Sequence, residues 1–566
     1  MKIVIKNRFN MKKMNILFTA ILFLAVFNSA YSQIDKTFSE SVDIVRAYLP
    51  KITDAVKMDI VPVGEKMESQ KPNITYTAKS KLIQLETTNN NKLSSLSFIK
   101  SPRKDFDHFY LKAGFGNYNN LLIDAHYNTT LLADRALTLR VFNHSGKSTV
   151  KYSNASEQLA DIAGRKDFGT KTLSGRLNVN NSNYRFYGFR IADSVNFDTI
   201  DPKNIKNNYL STSFKLSFNN ENEKKEKVHY WANLGVVNLY DYFKFNEFGI
   251  TFSGKIEQYF NQNPIRFETQ INHYIYSSPN SLNYHRTLFN VKAGYIFLRD
   301  RWRAEVGFNA PTESDTSLAK THFYPNVLLE AALVESYFNV FGGIRGDLIQ
   351  NNYQSLIDEN PFIISKFELR NTNNKFEIFG GIKGNVGSKF RYLAQFSYHN
   401  IENLLLFVNS LNADSTFNQR FTPIYDSSNT NLTRIKLEAG FTPINNMDIF
   451  ATFSYDKYDQ NPPEAYAWHL PSVQTKLTAR YTLQEKITFN LDYFFIGKRF
   501  AKDPFYLTTP IDLPAISDMN FGITYKFVKT WSIFFQFNNL TNNKYSYWNN
   551  YDLRGFNFLV GGKAIF

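Results

Sequence analysis

Apolar and polar side chains alternate with a period of two along many short stretches after Asp105. Residues 434–441, for example, read RIKLEAGF, and the same alternation occurs in residues 210–218, 487–495 and 531–538. Successive side chains of a β-strand point to opposite faces. The pattern therefore predicts strands with one apolar face and one polar face.

The connections between the predicted strands fall into two classes that alternate along the chain. Counted back from the carboxyl terminus, short turns at 528–530, 483–486 and 443–447 alternate with long connections at 498–518, 457–472 and 408–431. Bacterial outer-membrane barrels have short periplasmic turns and longer outer loops. We therefore predict an all-β fold, a transmembrane antiparallel β-barrel whose last strand ends on the periplasmic side.

The predicted barrel occupies residues 106–566 and has about 22 strands, with 20 and 24 as the alternatives. Residues 360–374 fit either a loop or an extra hairpin. The predicted strand starts lie near residues 108, 120, 135, 171, 182, 208, 228, 246, 264, 285, 301, 321, 336, 375, 390, 432, 446, 473, 486, 519, 531 and 555.

The composition agrees with a barrel and excludes several other classes of protein. The chain has 53 Phe and 34 Tyr, yet its mean hydropathy is −0.36. No segment after Gln33 has the 18 apolar residues of a spanning helix. A barrel reconciles these facts, because it shows aromatic side chains to lipid and polar side chains to a wet interior. Zero cysteines exclude a disulfide scaffold, a thiolate metal site and a cysteine nucleophile.

Charge and motifs give no indication of catalysis or of nucleic-acid binding. The formal charge of +15 falls to +10 without residues 1–32, and cations are interspersed with acids. The nine histidines lack metal-ligand spacing, and no nucleophile or phosphate-binding motif is present. We expect no enzyme activity, no cofactor, no metal site and no nucleic-acid partner. The register predicts that five charged residues face the interior: Lys215, Arg434, Lys436, Glu438 and Asp492.

The amino terminus reads as a signal peptide over residues 1–32. Lys12 and Lys13 precede an apolar run at 16–27, and Ala30-Tyr31-Ser32 gives a small-x-small cleavage pattern. The run is too short for a helix that spans a hydrocarbon core. An uncleaved anchor is the alternative. Export together with a barrel predicts location in the cell outer membrane.

Residues 33–105 differ from the barrel region in composition. These 73 residues are rich in Lys, Ser, Thr and Asn and contain a single glycine, Gly64. A folded sheet would need turn glycines and more apolar periodicity. We predict a short, mostly irregular segment that is periplasmic or lies in the lumen.

The last strand supports the barrel and carries a family resemblance. Residues 554–566 alternate and end on Phe566, which resembles the assembly signal that the barrel assembly machinery reads. Residues 534–566 resemble the end of a TonB-dependent receptor barrel through Asn538-Asn539-Leu540-Thr541, Tyr545, Gly555 and Phe566. Residues 360–362 and 377–383 are similar to its mid-barrel pattern.

The resemblance implies a 22-stranded barrel, an internal plug and solute uptake energised by the periplasmic protein TonB. This chain departs from the family before the barrel, because residues 33–105 are too few for a complete plug. The plug is therefore expected to be truncated or absent. Within this segment Val42, Asp43, Ile44, Val45 and Arg46 form a candidate energy-coupling strand for TonB, offered by β-augmentation. The alternative is a periplasmic strap or a segment that fills the lumen.

Two predicted outer loops carry clusters of aromatic residues. They are candidate ligand contacts, because aromatic rings stack on flat solutes, and the alternatives are an aromatic girdle or loop packing. The candidates are Tyr466, Trp468, Tyr545, Tyr547, Trp548 and Tyr551.

Three functions fit the sequence. The first is solute uptake by a receptor-like barrel. The others are a scaffold subunit of an outer-membrane protein assembly and a diffusion porin, since a large barrel lumen is either plugged or leaky. The expected partners are outer-membrane lipid, the barrel assembly machinery, TonB, and other outer-membrane proteins or a surface lipoprotein.

Overall fold

A computed structural model describes residues 108–566 except 133, 149, 190–200, 221–227, 280–282, 316–318, 336, 412–416 and 505–508. The predicted signal peptide, residues 33–105 and the candidate coupling strand at Val42–Arg46 lie outside the described residues. Those three assignments therefore stay predictions.

The described residues form 27 strands and a helix. Their bounds are β1 (Phe109–Gly116), β2 (Asn120–Leu132), β3 (Arg135–Gly146), β4 (Ala155–Phe168), β5 (Lys171–Arg185), β6 (Lys206–Asn220), β7 (His229–Asp241), β8 (Asn246–Phe260), β9 (Asn263–Ser277), β10 (Tyr284–Leu298), β11 (Trp302–Ser314), β12 (Ala319–Thr321), β13 (Tyr324–Val334), β14 (Phe338–Ile349), α1 (Tyr353–Glu359), β15 (Thr372–Val386), β16 (Phe390–Leu411), β17 (Phe417–Phe441), β18 (Met447–Asp459), β19 (Val473–Leu483), β20 (Ile487–Ile496), β21 (Arg499–Lys502), β22 (Pro510–Leu513), β23 (Ile516–Lys526), β24 (Trp531–Asn538), β25 (Ser546–Trp548), β26 (Tyr551–Asp552) and β27 (Asn557–Ile565).

Twenty-two of these strands form a closed antiparallel barrel, which confirms the predicted fold class and strand number. Each strand pairs with the next one in the ring, and β1 pairs with β27 to close it. The short strand β12 extends one edge of β11, and β21–β22 and β25–β26 form two hairpins outside the ring. Helix α1 has 7 residues.

Within the described part of the chain, no helix is long and apolar enough to cross a membrane.

Two of the predicted strand positions were wrong and offset each other in the count. Residues 155–168 form β4, which the sequence analysis missed, and 171–185 form the single strand β5 rather than two strands. In β4 the outward face carries Ser, Gln, Ala and Gly beside Ile162 and Phe168, so its alternation is weak. The second half of β5 is rich in Asn and Ser, a composition that is typical of turns.

The predicted long connection at 408–431 was also wrong. Strand β16 has 22 residues and β17 has 25, and they pair from Phe390↔Phe441 as far as Leu411↔Phe417. Both are much longer than the roughly 9–11 residues that cross a bilayer. Outside the lipid no apolar face is needed, so the alternation that marks a strand is lost there.

The two faces of the wall follow the predicted register. Ile435 and Leu437 are exposed on the outside, whereas Arg434 contacts Asp456 and Lys436 contacts Glu438 on the inside. Strand pairing places Lys215 opposite Arg176 and Asp492 opposite Thr478, on this same inner face. The five charged residues predicted to face the interior therefore do so.

The seam between β1 and β27 is built around a pair of glycines. Gly114 and Gly561 are register partners, and the ring of Phe534 lies over both. A Cβ at Gly561 would lie 2.0 Å from the carbonyl oxygen of Ala113 and 2.7 Å from the Phe534 ring. The ammonium of Lys112 sits 4.3 Å from the centre of that ring. The seam thus closes only because these positions have no side chain.

The chain end completes the seam. The backbone N–H of Phe566 donates to the carbonyl of Phe109 at 2.9 Å, and the reverse bond is 3.0 Å. The Phe566 ring is exposed and lies 5.8 Å from that of Trp531. Its role as an assembly signal remains a prediction.

We predict that Gly561→Val prevents closure of the barrel, because the added side chain collides with Ala113 and Phe534. The measurement is the temperature at which the folded, heat-modifiable band disappears on electrophoresis. Gly562→Val is the matched control, since a Cβ at Gly562 meets nothing within 4 Å. Equal folding of both variants would contradict the role of the glycine pair.

Candidate functional site: a loop lid over the barrel mouth

The inner wall of the barrel is lined with ion pairs that join neighbouring strands. Four arginines each donate two hydrogen bonds of 2.6–3.2 Å to one carboxylate. The four carboxylate side chains are 0–5% exposed. Bidentate pairing satisfies charges that are removed from bulk water. The pairs are Arg140–Asp124, Arg176–Asp161, Arg345–Glu377 and Arg434–Asp456.

The long loops fold inward at one end and form an aromatic core, which we call the lid. Its 15 buried residues come from loops and strand ends on three separate arcs of the ring. They are Tyr187, Tyr209, Leu239, Phe245, Tyr274, Tyr276, Tyr353, Leu356, Ile357, Ile363, Leu369, Phe407, Phe421, Trp548 and Tyr551. The connection between β14 and β15, which contains α1, supplies the central part.

Helix α1 is fixed to the barrel wall at its first turn. Asn352 and Ser355 form a capping box, which pairs two free N–H groups at the start of the helix. The buried carboxylate of Glu247 accepts hydrogen bonds from the N–H groups of Tyr353 and Gln354. Burial raises the pKa of Glu247 to about 7, and its carboxylate form interacts favourably with the positive end of the helix dipole. The helix is therefore held in the mouth by β8.

Side chains from distant strands meet at the centre of the lid. The rings of Phe362 and Tyr551 stack with centroids 3.8 Å apart, and Tyr187 packs edge-on against Tyr551 at 4.9 Å. From β17, the Arg420 guanidinium lies 4.6 Å from the Phe186 ring and 4.3 Å from the Phe243 ring. Contacts of this kind contribute about 0.5–2 kcal/mol each.

These contacts span the mouth rather than one edge of it. The connections involved start from β5–β9, from β14–β17 and from β24–β27, which occupy three separate arcs of the ring. Backbone hydrogen bonds reinforce the junction, since Phe421 donates to Phe362 and Ile364 donates to Phe421. The lid thus joins loops from three arcs across one end of the barrel.

The structure places the six candidate ligand contacts in loop packing. Trp468, Tyr545, Trp548 and Tyr551 are 1–7% exposed, and Tyr466 and Tyr547 are partly buried. Tyr545 donates its hydroxyl hydrogen bond to Asp518, and Trp468 donates to Glu464. Trp548 and Tyr551 belong to the lid core. A role in ligand binding stays a prediction, and it requires these loops to open.

Arg499 ties the hairpin β25–β26 to β21–β22. Its side chain is fully buried, and it donates to the carbonyl oxygens of Tyr547 at 2.6 Å and Ser546 at 3.1 Å. Burial lowers the pKa of Arg499 from its ordinary value. Arg499 thus holds this loop through its backbone carbonyls. Among the described residues, no carboxylate forms an ion pair with Arg499.

His469 lies beside Arg499 under the same loop. Its Nδ1–H donates to the carbonyl of Phe407 at 2.9 Å, and its ring centre is 5.1 Å from that of Trp548. Burial, with the Arg499 charge as a second cause, lowers the pKa of His469 to about 3. The closed loop therefore holds a neutral imidazole.

The sequence analysis missed the residues that organise the lid. Tyr353, Phe362, Arg420, Phe421 and Arg499 lie in stretches without periodicity, and they contact residues that are 47 to more than 200 positions away in the chain. The only indication was the high density of aromatic residues in the loops. Within the described ranges, no group of three or more His, Asp or Glu residues is arranged to hold a metal ion.

Acid is expected to loosen the lid. In an opened loop His469 regains its ordinary pKa of 6.5, so the open state binds the proton more tightly than the closed state. The contribution of His469 to closure is fully present above pH 6.5 and is lost as the pH drops towards 3. Acrylamide quenching of Trp548 fluorescence, taken as the difference from Trp548→Phe, should rise below pH 6.5.

His469→Gln is the control, because it retains a donor for the Phe407 carbonyl without a titrating group. Burial raises the pKa of Glu247 to about 7, so part of the pH response can remain in this variant, and the difference between the two proteins reports His469. The same pH response in both proteins would contradict the assignment to His469.

No protein-family model matches the chain, and no curated protein is significantly similar to it in sequence. Solved structures do match. The FrpB iron transporter from Neisseria meningitidis superposes with a TM-score of 0.66 at 11% identity over 82% of each chain. The ferric-catecholate import receptor Fiu from E. coli K12 gives 0.62 at 10% identity, also over 82% of each chain.

The pyoverdine outer membrane receptor FpvA from Pseudomonas aeruginosa gives a TM-score of 0.62 at 11% identity, over 82% of this chain and 80% of that one. Identities this low show a shared fold. The chain has the closed 22-stranded barrel fold of the TonB-dependent outer-membrane receptors that its strand count and last strand resemble.

Proposed function

We propose that this protein is an outer-membrane barrel that takes part in solute uptake as a gated receptor. The observation that carries the proposal is the lid, which is built from three arcs of the ring and buries its aromatic core across the mouth. Passage of a solute through this barrel requires the lid to move.

The outer surface supports location in the outer membrane. Large apolar side chains are exposed around the ring, among them Phe214, Leu234, Val306, Ile378 and Phe535. They alternate with inward polar residues, as the wall of a membrane barrel requires. The fold shared with outer-membrane receptors supports the same location.

The closed mouth favours a gated receptor over a diffusion porin. A porin needs a lumen that is open at rest, whereas the contact of Phe362 with Tyr551 and the contacts of Arg420 with Phe186 and Phe243 cross the opening here. The similar proteins are named an iron transporter, a ferric-catecholate import receptor and a pyoverdine receptor. Uptake by a receptor of that general kind is the function that best fits the lid.

In planar bilayers we expect the full chain to insert without a stable open conductance. The double variant Phe362→Ala, Tyr551→Ala removes the central stack, so openings should become frequent. The control Phe396→Ala, Phe558→Ala removes two exposed aromatic rings from the outer face and should stay closed. A steady single-channel conductance of the unmodified protein would establish a porin instead.

Energised uptake makes a separate prediction about residues 42–46. The full chain should retain the carboxyl-terminal domain of TonB in a binding assay, and deletion of residues 42–46 should abolish retention without altering the folded band. Replacing Val42 and Ile44 by Asp tests the strand character of the contact. If TonB binds neither the full chain nor the deletion variant, energy coupling fails and the scaffold alternative gains support.

A further inference from the structure

A cleft of about 380 Å³ opens at the outer rim, where the ends of β3 to β6 meet. It lies beside the lid, and no acidic side chain lines it. Its chemistry comes from three cations and several amides. The polar lining residues used below are Asn119, Lys147, Asn154, Asn183, Arg185 and Lys206.

The three cations have no carboxylate partner. No ion pair joins Lys147, Arg185 or Lys206 to an acid in the part of the chain that the structure describes. Arg185 lies 6.0 Å from the Tyr152 ring and Lys206 lies 5.5 Å from the Tyr242 ring. On the inner wall, by contrast, arginines are paired with buried acids.

A further arginine, Arg554, lies near the cleft on the inner face of the wall. The guanidinium of Arg554 lies against Gly146, where an added Cβ would be 2.7 Å from both of its terminal nitrogens. Gly146 itself lines the cleft. The three cations that line the cleft repel each other unless an anion lies between them.

The height of the cleft relative to the lipid-facing surface identifies the source of that anion. Leu121 and Leu210 are exposed apolar residues of the outer face, and they pair with Ser145 and Asn181. The cleft begins at Ser145, at the level of Leu121, and at Asn183, two residues beyond Asn181. A strand rises about 3.3 Å per residue, so the cations stand roughly at the level of lipid headgroups.

We propose that this cleft binds the phosphate group of an anionic lipid in the outer leaflet. Lysine and arginine are the side chains that pair with phosphate oxygens, and amide N–H groups of Asn complete the set of donors. The exposed ring of Tyr242 lies beside Lys206, at the level where aromatic side chains contact headgroups. This site is independent of solute uptake through the lumen.

The test compares lipid binding by the full chain and by the variant Lys147→Gln, Arg185→Gln, Lys206→Gln. The probe is phosphatidic acid in phosphatidylcholine micelles, with bound lipid counted by native mass spectrometry. Loss of three charge-assisted contacts should weaken binding at least about tenfold. Raising the salt concentration should weaken binding to the unmodified chain in the same direction.

The control variant Lys171→Gln, Lys486→Gln, Lys529→Gln removes the same charge from exposed positions at the opposite end of the barrel. It should bind phosphatidic acid as the unmodified chain does, and all three proteins should show the folded band. An equal loss of phosphatidic acid binding in both variants would show that binding depends only on net charge, and it would overturn the proposal. A second arm adds inorganic phosphate in phosphatidylcholine alone, and tight binding there would assign the cleft to a soluble anion instead.

Discussion

The constraint on which this structure depends is that every backbone N–H and C=O within the hydrocarbon must find a partner in the protein. An open sheet leaves two edges unpaired, so the sheet has to close, and the pairing of β1 with β27 closes it. That seam joins the two ends of the described chain, and it requires two positions without side chains and a set of terminal backbone hydrogen bonds. Gly114 and Gly561 let the two backbones approach under the Phe534 ring, and Phe566 supplies the last hydrogen bonds.

Closure creates an interior that is neither lipid nor bulk water. The inner wall of the barrel therefore carries charged side chains in pairs of opposite sign. Bidentate arginine–carboxylate pairs join adjacent strands, so each partly desolvated charge is neutralised by a neighbour. Beyond the membrane the requirement for an apolar outer face ends. There β16 and β17 extend as a long hairpin. The loops lack the alternation of apolar and polar residues and instead bury an aromatic core.

The loops of the lid are held in place by buried polar side chains. Its loops carry backbone groups that no ladder pairs, and side chains satisfy them: Glu247 at the start of α1, Arg499 at the carbonyls of β25, and His469 at Phe407. Each of these groups is buried, so opening the lid exposes polar groups that water can satisfy. A closed mouth of this kind fits a gate better than a plain plug. The cationic cleft on the rim, beside the lid, meets the membrane surface rather than the lumen.

The predicted number of strands agrees with the structure only because the missed β4 and the divided β5 offset each other. The sequence by itself determined the class of fold, the alternation of short turns with long loops, and the inward register of residues such as Arg434 and Lys436. These features follow from nearest-neighbour alternation, which a strand crossing lipid must obey. The sequence did not reveal β4, the extension of β16 and β17, helix α1 or the lid. Small residues weaken the alternation of β4, and outside the lipid no periodicity is required. Contacts such as that of Tyr187 with Asp552 join positions 365 residues apart. Only closure of the ring brings them together, so the mouth and its lid were decided by the tertiary structure.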